Sequence, residues 1–167
     1  IEIEYRKNLI DNDNSKLAIN MNTSLIFSQQ KLTDAEYDGR VITELNRVID
    51  RTRVLQGQAP FLINAGVTFT NVNKNFEAGL FYNVQGKTLE VVGVGNIPDV
   101  YTDPFNNLTF TCTKKLGANQ NQTITFKAQN ILADTRESFY DYYGEEQRPF
   151  SLFKVGRSFS LGYSIKF

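Results

Sequence analysis

The residue types best suited to chemistry gather in Glu137–Phe150 (ESFYDYYGEEQRPF), where Phe139, Tyr140, Tyr142 and Tyr143 stand beside Asp141, Glu145, Glu146 and Arg148. Rings that stack and charges that orient a bound compound are what many small-molecule sites combine. Tyr140, Tyr142, Tyr143, Glu145, Glu146 and Arg148 are therefore the candidate ligand-binding residues. At a membrane boundary the same rings form an anchoring aromatic girdle, and that plainer role is the default.

Other chemistry is narrowly bounded. The chain has 167 residues, no His and one Cys, which excludes an ordinary zinc site, a His-dependent triad and an internal disulfide. Cys112 falls on the apolar register of its segment beside Phe110 and reads as a small hydrophobe. Gly93-Val94-Gly95 lacks the third glycine of a dinucleotide fingerprint and a following helix. Asp11–Asn14 (DNDN) is too short for a calcium loop and has no closing Glu, so it reads as a turn. The sequons at Asn22, Asn107 and Asn121 are incidental. With 18 basic against 18 acidic residues there is no nucleic-acid footprint. The expectation is a non-enzyme without metal or cofactor.

Around these residues lies a repeated pattern. In Arg157–Phe167 (RSFSLGYSIKF), Phe159, Leu161, Tyr163, Ile165 and Phe167 alternate with Ser158, Ser160, Gly162, Ser164 and Lys166. Successive strand side chains point to opposite faces, so one face is greasy and the other wet over about ten residues, the length of a tilted membrane-crossing strand. Six more period-two segments precede it: Ile1–Leu9, Lys16–Ser28, Phe61–Thr70, Asn75–Gln85, Asn107–Lys115 and Gln122–Gln129. A mean hydropathy of −0.35 is compatible with a barrel, because half of each strand faces a polar lumen.

The connections alternate in length. Asp11–Asn14, Asn71–Lys74 and Leu116–Asn121 are short and rich in turn residues, whereas Lys31–Pro60, Gly86–Asn106 and Asp134–Gly156 are long. That sorting is a mark of outer-membrane barrels, with the short side in the periplasm. Seven strands then place Ile1 on the outer side, although a complete single-chain bacterial barrel has an even number. A free sheet edge cannot face lipid, so further strands are expected upstream, or an eighth has gone uncounted. Within the first long connection, Val41, Ile42, Leu45, Val48 and Ile49 recur at helical spacing, which predicts a short amphipathic helix over Arg40–Arg53.

The last residues resemble the assembly signal of outer-membrane barrels: Ser160, then Gly162, then Ile165 and Phe167. A wider stretch is similar to the end of a TonB-dependent outer-membrane receptor of the Bacteroidetes type. The matching elements are Asn130-Ile131-Leu132, Gly156-Arg157-Ser158-Phe159-Ser160-Leu161-Gly162 ending at Phe167, Leu55–Gly66, and Leu80–Lys87. The resemblance implies a transport receptor with a twenty-two-stranded barrel, an N-terminal plug and energy supplied through TonB.

The expected fold is thus all-β: a transmembrane antiparallel β-barrel of which residues 1–167 form about seven C-terminal strands, the plug and earlier strands lying outside this sequence. Its expected place is the bacterial outer membrane with the long loops extracellular. Expected partners are outer-membrane lipid, the barrel assembly machinery, and the TonB complex through the plug; a surface lipoprotein is an open question. The alternatives are a small complete barrel with a structural or adhesive role, an outer-membrane enzyme, and a secreted sandwich with carbohydrate-binding loops.

Overall fold

The computed structural model describes residues 1–43, 50–95, 97–141 and 148–167, the side chains of 41–43 excepted. In chain order its elements are β1 (Glu2–Asp11), β2 (Ser15–Leu25), β3 (Gln30–Lys31), α1 (Asp34–Thr43), β4 (Thr52–Arg53), β5 (Phe61–Asn71), β6 (Phe76–Gln85) and β7 (Thr88–Val91). They continue with β8 (Val100–Thr102), β9 (Phe105–Leu116), β10 (Gln122–Gln129), β11 (Arg136–Tyr140), β12 (Arg148–Phe153) and β13 (Ser158–Ile165). The protein is all-β, and its main sheet is an antiparallel meander ordered β1-β2-β5-β6-β9-β10-β13. Each of the seven alternating segments of the sequence became one of these strands. β1 and β13 do not pair, so the sheet is open.

Cross-strand register joins the alternation of separate strands into two continuous faces. One row runs Lys7–Ile19–Val67–Leu80–Phe110–Ala128–Phe159. The next runs Ile10–Leu17–Phe69–Ala78–Cys112–Phe126–Leu161, a slip in register after Asn8 bringing Ile10 onto this face. The opposite face carries Glu4–Asn22–Asn64–Asn83–Asn107 in one row and Asn8–Ala18–Thr68–Gly79–Thr111–Lys127–Ser160 in another. An opposite-face position requires only a one-residue offset, so this sorting fixes the register of every strand pair.

Among the described residues no protein layer covers the apolar face. Val67 and Leu80, in the middle of the sheet, are 41% and 43% exposed, and Leu161 on the edge is 76% exposed. Among the described residues no helix is long and apolar enough to cross a membrane.

The most deeply buried apolar side chains, Leu89 and Val100, lie elsewhere. The tight turns close one end of the meander: Asn12 Oδ1 accepts from the N–H of Asn14 (3.0 Å) and Ser15 (2.8 Å), which makes DNDN a turn as expected. The three long connections gather at the other end. Two of them form a second sheet, β12-β11-β8-β7, around Leu89, Val100 and Phe139, all buried. The first connection is bonded to it: Gly57 N–H donates to Leu89 O (2.8 Å) and Gln56 Nε2 to Glu90 O (2.8 Å). These connections are thus a folded cap rather than separate loops.

The helix differs from expectation. It begins at Asp34 and is described to Thr43, whereas Thr52–Arg53 at the end of the expected span pairs as strand with Gln30–Lys31. The start is set by a capping box: Glu36 N–H donates to Thr33 Oγ1 (3.3 Å) while Thr33 N–H donates to Glu36 Oε2 (2.9 Å). Leu45, Val48 and Ile49 lie outside the described residues.

Candidate functional site

Of the six candidate ligand-binding residues, two are described. Tyr140 ends β11 opposite Arg148 at the start of β12, and its ring meets Phe150 edge-on at 5.3 Å. Tyr142, Tyr143, Glu145 and Glu146 lie outside the described residues. Neighbouring Phe139 turns inward and is buried, with Lys87 Nζ 4.3 Å from its ring centroid and 4.8 Å from that of Tyr101.

The cap is held by polar groups far apart in sequence. Arg40 Nη2 on α1 reaches both oxygens of Asp99, at 2.8 and 2.7 Å, and Gly93 N–H donates to Asp99 Oδ1 at 2.8 Å. Gly93 has no room for a side chain, since a Cβ there would lie 2.0 Å from Ile97 O. The Gly93–Gly95 stretch is therefore a tight loop folded over Asp99. A second cluster joins Ser138 and Thr102, which donate to Glu90 Oε2 at 2.6 and 2.7 Å. Those two bonds, Ser138 first, hold the Glu90 carboxyl below its ordinary range, with Arg136 assisting against the opposing effect of burial. A serine donating to a carboxylate so stabilised is a rivet; lowering the carboxylate's proton affinity makes it a poorer base for activating a nucleophile.

At the rim of the main sheet, burial pushes the Asp134 carboxyl up, but the N–H and side chain of Asn106 (2.6 and 2.9 Å) and the Thr135 N–H (2.9 Å) lower it on balance. Both carboxyls thus ionise more readily when folded than at their ordinary values of 3.8 (Asp134) and 4.5 (Glu90). Their stabilisation is present above those values and fades as pH falls through the lower, folded-state ones. Urea titrations at descending pH should show cap stability level above about pH 5 and falling below it; a flat or rising profile would rule this out.

The elements behind the family resemblance meet in space. Asn130, buried and with a positive φ of 50°, donates from Nδ2 to Gly156 O at 2.8 Å, and Arg157 Nε donates to Ile131 O at 2.8 Å. The Asn-Ile-Leu and Gly-Arg elements therefore clamp the last long connection where it leaves β10 and enters β13. Of the assembly-signal residues, Ser160 opposes Lys127 and Gly162 opposes Thr125 on the polar face, Ile165 ends the apolar one, and Phe167 extends past β13, fully exposed. A Cβ on Gly162 would meet nothing nearer than Thr125 O at 3.9 Å.

The polar face also holds a residue that alternation alone overlooks. Phe81 falls among Glu77, Gly79, Asn83 and Gln85, on the side opposite the other large apolar residues of β6, and is 37% exposed. Gly66 lies across from it on β5 and Thr109 on β9. Beside this ring Asn83 Nδ2 donates to Asn64 Oδ1, linking two members of the asparagine row. The interruption of an otherwise polar register was the available signal.

Among the described residues no group of three or more His, Cys, Asp or Glu side chains is placed to hold a metal ion. The arrangement defines a class of protein, an open antiparallel meander with one bare apolar face, one amide- and hydroxyl-rich face, and a folded cap at one end. No protein-family model, curated protein or solved structure matches this chain.

Proposed function

We propose that the chain is the C-terminal part of a TonB-dependent outer-membrane receptor, contributing barrel wall, extracellular cap and assembly signal to ligand uptake. The observation that supports the reading is the largely apolar face, which runs across seven strands of eight to twelve residues and over which the described residues place no protein layer. Such strands match the span a tilted strand needs to cross hydrocarbon. Lipid covers this face, while the opposite one lines the aqueous interior.

The free edges of β1 and β13 would leave N–H and C=O groups unsatisfied in hydrocarbon, so in this reading both edges pair with further strands of a twenty-two-stranded barrel. The tight turns lie in the periplasm and the cap outside the cell. The partners are outer-membrane lipid, the barrel assembly machinery at the Ser160–Phe167 signal, and TonB through a plug elsewhere in the protein. The role is transport, without catalysis or a cofactor.

Fractionation of cells expressing the intact protein tests the reading. It should remain with the outer membrane after carbonate washing and migrate differently on gels before and after boiling, as folded barrels do. Recovery in the soluble fraction without detergent would refute it.

A further inference from the structure

We infer that Lys114 is a headgroup site for anionic phospholipid in the leaflet nearer the tight turns, with the apolar face beside it bedding the acyl chains. The inference rests on the reading that lipid covers this face, and it adds which lipid charge the face selects. The distribution of charge over the main sheet carries it. Every acidic residue of the seven strands, Glu2, Glu4, Asp11 and Glu77, falls on the polar face, whereas the charged side chains at apolar-face positions are Lys7 and Lys114. A cation facing hydrocarbon is costly unless an anion meets it, and on this face no acidic side chain of these strands does so. The phosphodiester of a lipid is the anion that such a surface meets.

Lys114 is half-buried in the row Asn71–Phe76–Lys114–Ile124–Tyr163, at the turn end of the apolar face. Its Nζ donates to the Lys74 carbonyl in the Asn71–Lys74 turn, so the stem lies along apolar surface while the ammonium stands at the boundary, as a snorkelling side chain does. Tyr163 is arranged alike, its hydroxyl donating to Gln122 Oε1 at 2.9 Å. Of the three ammonium donors of Lys114, Lys74 takes one and two are left for phosphate oxygens. The next row away from the turns, Phe69–Ala78–Cys112–Phe126–Leu161, is apolar throughout and suits acyl chains. Lys7, exposed on β1, repeats the pattern. Barrel strands tilt by about 35–45°, so depth shifts from strand to strand: Ile1, Ile3 and Tyr5 end in Lys7 before the register slip, as Leu108, Phe110 and Cys112 end in Lys114. A zwitterionic headgroup brings its own cation to the phosphate, and an anionic one does not, which gives the anionic lipid the advantage.

The test is native mass spectrometry of the intact protein in detergent micelles, titrated with dioleoyl phosphatidylglycerol, dioleoyl phosphatidylcholine, and free glycerophosphate as the headgroup alone. Phosphatidylglycerol should be retained in preference to phosphatidylcholine, and glycerophosphate should not displace it. Lys114→Gln should weaken phosphatidylglycerol roughly fivefold, the worth of one cation near a lipid surface, and Lys114→Arg should keep it. Lys115→Gln, one residue along but on the polar face, should change nothing. If Lys114→Gln does not fold, a photoactivatable phosphatidylglycerol added to the parent should label β9 and not the cap. Equal retention of the two lipids, displacement by glycerophosphate, equal effects of Lys114→Gln and Lys115→Gln, or labelling that spares β9 would overturn the inference. A protein that needs detergent yet shows no preference fails this inference alone, whereas one that is soluble without detergent fails the transport reading with it.

Discussion

Leu161→Arg should cost about 2–4 kcal/mol of folding free energy in a bilayer, the depth-dependent penalty for a cation on the lipid side of a barrel strand near the midplane. Leu161 sits mid-strand in β13, in register with Phe126 and in the same row as Cys112, Ala78 and Phe69. None of these offers the guanidinium a partner. Ser160→Arg, one residue away, enters the polar face opposite Lys127, where like charges directly opposed cost at most about 1 kcal/mol. The comparison isolates facing, because both substitutions add the same side chain to the same strand. Urea titration of folding into lipid vesicles measures both, and equal penalties would contradict the assignment of faces.

The second large effect belongs to the cap. Asp99→Ala should destabilise it by about 3–5 kcal/mol, the cost of removing one member of a buried ion pair. The Asp99 side chain is 1% exposed and that of Arg40 13%, so water cannot readily replace the lost carboxylate. Gly93 N–H loses its acceptor in the same substitution. Arg40→Ala should be comparably harmful, and the double variant should cost less than the two single losses added together, because the pair is a coupled unit. Hydrogen exchange should then accelerate in α1 and in Val100–Thr102 while β2, β5 and β6 keep their protection. Unchanged exchange in the cap would show that the ion pair holds nothing there.

The main sheet was legible because two demands coincide on every long strand. One face must be apolar and the other polar, and a period of two records both demands in each segment, so seven strands and their length-sorted connections could be read without any contact information. The cap has no such record. Val100–Thr102 has three residues and Thr88–Val91 four, too few for a period; they pair with each other, and Val100–Thr102 also pairs with Arg136–Tyr140 from a connection dozens of residues away. Its stabilising pairs, Arg40 with Asp99 and Glu90 with Ser138, are equally non-local.

The helix starts at Asp34 rather than Arg40 because the Thr33–Glu36 capping box, not the apolar spacing, fixes its first turn. The candidate site was legible only in part. Tyr140 and Arg148 do come together across a strand pair; Phe81 breaks the polar register of its strand, but its place beside Gly66 is set by cross-strand register, which no local pattern records.

The central claim is that acyl chains cover one side of the meander, and site-directed spin labelling of β13 measures this most directly. Nitroxides would be placed singly at positions 158–165 in a Cys112→Ser background, and the intact protein reconstituted in vesicles. Collision with dissolved oxygen, which concentrates in hydrocarbon, should peak at 159, 161, 163 and 165, while a water-soluble nickel chelate should reach 158, 160, 162 and 164. Equal access of the chelate to both sets, or shielding of the odd positions from both reagents by a second protein layer, would contradict the account.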